Sequence, residues 1–279
     1  MPIADILSPN AKNGGGAPSP EIGVSMGTPQ GDSDLSGLID ALLDGYRLFD
    51  FGARNHRERD VVAAIQQTGL NREDVKVIKK LPLTHYRPKD ALNLITCELE
   101  ASGLEFFDQY LLEWPSPDSN STAQAWDALV RAKEKNLVKS IGVCNFAPAN
   151  VKRLITQSNT PPCINQIEMH PHFPQPDQLA WHTSVGITTQ ARMPFGRANH
   201  LLCCTVVEDI ARQSNKSAGQ VILRWHYQRG VLAFTRYAPK RLPHVTELRL
   251  DDFELGEDDM LRISQLALRN GRVYEGHFD

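Results

Sequence analysis

No apolar run in this 279-residue chain is long enough to cross a bilayer; the longest are strand-sized. Lysine and arginine form no tract and the formal net charge is only −3, so neither nucleic acid nor an anionic membrane is favoured as a partner. Residues 1–20, MPIADILSPNAKNGGGAPSP, lack the basic start and continuous apolar core of a signal peptide and read as a loose N-terminal arm. The five cysteines, at 97, 144, 163, 203 and 204, show neither CxxC nor metal-ligand spacing. An odd number without a secretory leader points to reduced thiols and a cytoplasmic protein. His170 and His172 flank Pro171 with no third histidine at a suitable spacing, so no metal is expected.

What is present is a repeating pattern. Eight short apolar or β-branched runs, at 22–26, 46–51, 75–80, 108–113, 139–143, 163–168, 186–191 and 230–235, predict strands. Helical stretches alternate with them. Leu35, Leu38, Ile39 and Leu42 form one apolar stripe, and further helices are expected at 60–67, 89–102, 121–133, 148–157, 205–214, 217–228 and 258–269. Ser/Thr capping residues should start the helix at 121, and Gly69 and Gly103 stop the helices before them. Strand–helix units repeating every 25–35 residues or so imply parallel strands with helical crossovers. Eight units favour a closed (β/α)8 barrel, and no GxGxxG follows the first strand to support a doubly wound alternative. The expected organisation is an arm at 1–20 and one barrel domain at 21–279, with a tail from 271 too short for a large substrate-covering loop.

Active sites of parallel barrels form at the carboxyl ends of the strands. Asp50, Lys80 and Glu113 end three consecutive strands. An ion pair between Asp50 and Lys80 would be either structural or a means of tuning a nearby proton donor. Glu113 follows an apolar strand; burial would raise its pKa, and Lys80 would lower it. Asn145 and Gln166 are amides able to bind another amide or satisfy local backbone. Arg54, His56, Arg57 and Arg59 crowd one loop, which could contact an acidic substrate but more often is a solvated helix start. Arg192, Arg197, Arg236 and Arg241 follow late strands, where barrels commonly bind phosphate.

Several ordered motifs, GYRLFD at 45–50, DQYLLEWP at 108–115, IGVCNF at 141–146, NQIEMHP at 165–171, LRWH at 223–226 and DFEL at 252–255, resemble the aldo-keto reductases over roughly residues 22–270. The resemblance implies an NADP(H) site at the barrel mouth and carbonyl reduction by an aspartate, a tyrosine, a lysine and a histidine. Asp50 and Lys80 match two of these. The tyrosine position holds Asn55 and the histidine position Glu113. Glutamate at the latter occurs in relatives that reduce an activated carbon–carbon double bond. A carboxamide at the former cannot deliver the proton, a loss of roughly 10²–10⁴-fold unless Tyr86 or His56 replaces it. Asn145 and Gln166 match the nicotinamide-carboxamide ligands, and Thr28 lies in the expected turn. Arg192 stands where an aromatic residue stacks on the ring. Arg236 and Arg241 are candidates for the 2′-phosphate, although the phosphate stretch reads FTRY at 234–237.

Three readings follow for a monomer or homodimer acting on a small organic substrate. The leading one is non-redox acid/base chemistry, such as dehydration, isomerisation or cyclisation in a specialised biosynthetic route. There Glu113 moves the proton, Lys80 stabilises oxyanion charge, Asp50 holds Lys80 and Asn55 orients a carbonyl. The second is an NADPH-dependent reductase of a carbonyl or activated double bond. The third is a non-catalytic nucleotide- or metabolite-binding barrel.

Overall fold

A computed structural model of the chain describes residues 22–26, 34–55, 57–236 and 250–273. The eight expected strands are all present: β1 Gly23–Met26, β2 Leu48–Phe51, β3 Lys76–Leu81, β4 Phe107–Leu112, β5 Val138–Cys144, β6 Ile164–Glu168, β7 Thr188–Arg192 and β8 Leu232–Arg236. Each pairs in parallel with the next, and β8 pairs with β1 to close the barrel. The helices are α1 Asp34–Leu43, α2 Arg59–Thr68, α3 Pro88–Ser102, α4 Ser119–Glu134, α5 Pro148–Ser158, α6 Pro176–Ser184, α7 Thr205–Ser214, α8 Ala218–Gln228 and α9 Glu257–Ser264. The N-terminal arm, including Gly14–Gly16, lies outside the described residues.

Three differences from the expected pattern have local causes. Helix α4 is capped by Asp118 rather than by a Ser or Thr: its carboxylate accepts the backbone N–H groups of Asn120 and Ser121. Helix α6 was not anticipated, because its apolar face is thin and only His182 on it is buried. Its start is set by Pro176, whose fixed φ suits the first helical position. Helix α9 ends at Ser264 instead of reaching 269, where Ser264 turns its hydroxyl onto Met260 O and takes a hydrogen bond from the Trp225 indole.

Alternation along the strands sorts side chains into two compartments. Leu48, Ile78, Leu111, Ile164 and Phe234 form an apolar cluster within the barrel. Gly23 belongs with them because a Cβ there would stand 2.2 Å from the Phe234 ring. Outward residues, among them Phe49, Val77, Tyr110 and Val143, join the larger core beneath the helices. Two steps along from the inner apolar cluster, the inward positions of β2, β3 and β6 become Asp50, Lys80 and Gln166, so the barrel is dry below and polar at its carboxyl end.

The neighbouring lysine, Lys79, points the other way and is completely buried. Its ammonium donates to Asn55 O at 2.7 Å and lies 3.2 Å from Glu58 and 3.0 Å from Glu98. Tyr110 donates its phenol to the second Glu98 oxygen at 2.7 Å. Burial pushes the Glu98 carboxyl up, opposed by Lys79 and by the Tyr110 hydrogen bond. This cluster ties α2 and α3 to β3 and fixes the loop that ends at Asn55. Removing the one cation would strand two buried carboxylates. Lys79→Met should therefore lower unfolding free energy by about 3–5 kcal/mol, read from urea denaturation; a loss below about 1 kcal/mol would place the cluster with exposed ion pairs.

Candidate active site

At the carboxyl end of the barrel, Lys80 Nζ meets Asp50 Oδ2 at 2.7 Å, both side chains buried. The same carboxylate oxygen accepts from Gln166 Nε2 at 3.2 Å. Gln166 also donates to Gln190 Oε1 at 3.3 Å, and Gln190 donates in turn to Gln109 Oε1 at 2.8 Å. One hydrogen-bonded line thus crosses the barrel through β3, β2, β6, β7 and β4. Gln109 and Gln190 were not singled out from sequence. The signal available was their inward position two residues from a polar or apolar barrel residue on the same strand. Asp50 Oδ1 is buried and finds no partner among the described residues.

Glu113 stands one residue past β4, half-buried, its backbone N–H bonded to Leu81 O at 3.1 Å and its carbonyl accepting from Asn145 Nδ2 at 3.1 Å. Asn145 holds a left-handed φ of 64°, which asparagine tolerates better than most residues, and its N–H bonds Gln166 O at 2.9 Å. The competition left open by the sequence goes to burial. Desolvation raises the Glu113 pKa, and the cations Lys80, Arg54 and Arg192 reduce that rise without cancelling it. The Cys144 thiol, fully buried within the same field, is likewise pushed up by burial.

Asn55 is buried, and both ends of its carboxamide are engaged by main chain: Nδ2 donates to Met26 O at 2.6 Å and Oδ1 accepts Arg57 N–H at 3.1 Å. Its side chain pins the end of β1 to the β2–α2 loop, which leaves its expected role of orienting a substrate carbonyl without geometric support. Tyr86 is the phenol weighed from the sequence as a substitute donor. Its hydroxyl proton is given to Trp114 O, and burial pushes its pKa well above the ordinary phenol range. His56, Thr28 and Arg241 lie outside the described residues.

Arg192 ends β7 and is half-buried, with its charge acting on Glu113. Arg236 ends β8 and is exposed. In the Arg54 loop, Arg54 and Arg59 are exposed and Arg57 is half-buried, and the charge of Arg54 also acts on Glu113. His170 is paired with Glu168 at 3.1 Å, and Glu168 also accepts the Val273 N–H at 2.6 Å, fastening the chain after α9 beside the barrel. A cavity of about 350 Å³ lies next to Tyr86, between the β3–α3 and β4–α4 connections, lined by Leu83, Thr84, Arg87, Ser116, Pro117 and Ser121 as well.

Two acidic side chains, a lysine and amide donors at the mouth of a closed eight-stranded barrel agree with the motif resemblance, and the family model for the aldo/keto reductase family matches residues 28–267. The chain belongs to the aldo/keto reductase family. It is similar to morphine 6-dehydrogenase of Pseudomonas putida, with 33% identity over 93% of this chain and 91% of that one. It is also similar to 2,5-diketo-D-gluconic acid reductase B of a Corynebacterium species, with 31% identity over 95% and 94%. Among solved structures, the Bombyx mori aldo-keto reductase in complex with NADP superposes with a TM-score of 0.80 at 26% identity, covering 88% of each chain. These relatives are named for oxidation and reduction, so the leading expectation of lyase- or isomerase-type chemistry gains no support, and the reductive alternative does.

The residues at the mouth suit the family's cofactor in chemical type. The amide N–H groups of Asn145 and Gln166 are already given to Glu113 O and Cys144, and to Asp50 and Gln190, so their oxygens are what they offer a carboxamide, and Arg236 offers a cation for a phosphate. Arg192 departs from the pattern, since a guanidinium at this place disfavours a ring that becomes positive on oxidation.

The raised Glu113 pKa carries a stability consequence. A carboxyl raised on folding stabilises the fold below its unfolded value of 4.5, and that contribution is lost as pH rises through the folded value. Glu113→Gln should therefore be more stable than wild type at pH 8, with the gap closing as pH falls toward 5. Urea midpoints at the two pH values measure it, and a gap that grows on acidification would contradict a raised carboxyl.

Proposed function

We propose that this protein is an NADPH-dependent reductase of a small organic carbonyl compound or activated alkene, with Glu113 as its proton donor. The observation that carries the reading is a carboxyl whose pKa is raised by burial, set beside the buried Lys80–Asp50 pair. A reduced nicotinamide, when bound, supplies a hydride. Asn145 and Gln166 would hold its carboxamide, and Arg236, with Thr28 and Arg241, its phosphates. The sequence similarity to named reductases and a dehydrogenase supports the redox assignment.

The roles of the chain's own residues follow from their placement. Asp50 and Gln166 hold Lys80 in one position, so the ammonium presents a fixed positive charge to an oxygen that becomes negative as its carbon is reduced. Glu113, whose carboxyl burial shifts toward the acid form, gives its proton to that oxygen and is reprotonated from solvent. With an enone, the Glu113 proton hydrogen-bonds the conjugated oxygen and stays on the carboxyl, and the one proton consumed is delivered to carbon from water. The walls around the pair exclude water because the inward residues below it are apolar. Replacing tyrosine by a carboxyl at a different position changes the donor without changing the electron balance: one hydride and one proton are consumed per turnover.

Screening short aldehydes, 2-oxo compounds and enones for loss of nicotinamide absorbance tests the reading. Turnover should fall as pH rises, because the acid form of Glu113 is the active one, and Glu113→Gln should lower kcat roughly 10²–10⁴-fold. The absence of cofactor oxidation with every compound class, or an unchanged kcat in Glu113→Gln, would overturn it.

A further inference from the structure

Gln109 and Gln190 are buried inside the barrel and carry no charge that needs a counterion. Gln109 stands two residues before Leu111 on β4, on the same face as that member of the inner apolar cluster, so it reaches into the dry part of the interior. A buried amide must recover from the protein the hydrogen bonds it gave up to water. Replacing two bonded amides by apolar side chains of the same shape is nearly neutral or stabilising. Stability alone therefore does not account for glutamine at these two inward positions.

The two share a direction, and Asp50 sets it. A carboxylate has only acceptors, so the Gln166 atom 3.2 Å from Asp50 Oδ2 is the amide nitrogen. That nitrogen lies 3.3 Å from Gln190, which must meet it with its oxygen. Gln190 then turns its own nitrogen to Gln109, whose oxygen accepts at 2.8 Å. Gln166 and Gln190 face each other in the register of neighbouring strands β6 and β7, while Asp50 and Gln109 come from β2 and β4 on other sides of the barrel. The Gln166 nitrogen is thus held from two separate directions. Two such bonds fix the plane of the amide, whereas one would leave it able to turn about that bond.

The consequence is a fixed Gln166 Oε1. The Cys144 thiol meets this oxygen at 3.8 Å, and a thiol is a weak donor that a stronger N–H can displace. We propose that Gln190, backed by Gln109, is a positioning residue that aims the Gln166 oxygen at the NH2 group of a nicotinamide carboxamide. This rests on the reductive reading. Each glutamine acts through the next amide in the line, and the line ends on the carboxylate that pairs with Lys80, so one set of bonds aligns the cofactor's amide with the ammonium.

The reduced 3-acetylpyridine analogue of NADPH carries a methyl group where the carboxamide carries NH2, and is otherwise the same molecule. Isothermal titration of each compound into the full chain, without substrate, reads this contact with no turnover. Wild type should bind NADPH about tenfold more tightly than the analogue, the equivalent of one hydrogen bond in a buried site. The pair variant Gln109→Met/Gln190→Met keeps the length of both side chains without their amides. In it NADPH binding should weaken by about the same factor while analogue binding is unchanged, so the ratio falls to about one. Its melting temperature should lie within about 5 °C of wild type. A larger drop would assign the amides to the fold and overturn the inference. So would a ratio that survives in the pair variant, or a wild type that binds the analogue as tightly as NADPH; either result leaves the reductase reading standing. A wild type that binds neither compound overturns both.

Discussion

The Lys80–Asp50 pair governs the carboxyl half of this barrel. An ammonium and a carboxylate cannot both sit inside a dry β-barrel unless each is neutralised and the remaining lone pairs are bonded. The contact at 2.7 Å does the first, and the Gln166 amide contributes to the second. Gln166 Nε2 donates also to Gln190 Oε1, and Gln190 donates in turn to Gln109 Oε1, which brings both into the layer. These bonds hold the layer in one arrangement, with Asp50 Oδ1 left without a partner among the described residues. It makes a polar floor at the mouth, and Glu113 directly follows β4, the strand that carries Gln109.

Much of this was legible in the residue pattern. The eight strand-helix units implied closure, and every expected strand is found with its ends shifted by no more than two residues. Asp50, Lys80 and Glu113 stood out because a charged residue ending an apolar strand has few reasons to be there. The amide line was not visible, because glutamine in a strand has no spacing that marks it as a partner of another glutamine some 80 residues away. Lys79 was missed for a related reason. Two adjacent lysines in a strand must face opposite sides, and the side away from the barrel axis is covered by α2 and α3, which carry Glu58 and Glu98. That reasoning was available but needed the barrel to be assumed first. The helix α6 was hidden by its weak apolar face, and the early end of α9 by side-chain bonds at Ser264.

Asn55 illustrates how a buried carboxamide can fasten a loop at the mouth of a barrel. Its carboxamide donates to Met26 O and accepts from Arg57 N–H, so it serves as a clasp between the end of β1 and the β2–α2 loop. Lys79, from below, bonds the carbonyl of the same residue. The loop that carries Arg54 is therefore fastened from two directions.

The balance of forces on the Glu113 carboxyl decides whether it can act as the proton donor proposed above. Full burial without cations would hold it protonated but make the carboxylate left behind after transfer too costly. Cations in contact would hold it ionised and useless as an acid. The observed arrangement lies between these limits: burial is the largest influence, and Lys80, Arg54 and Arg192 oppose it from separate strands and loops. Because Lys80 is already paired with Asp50, its pull on Glu113 is tempered, and the two arginines supply the rest. The same three cations would stabilise the carboxylate left behind if the proton were given up, so the arrangement that favours the acid form also lowers the cost of losing it.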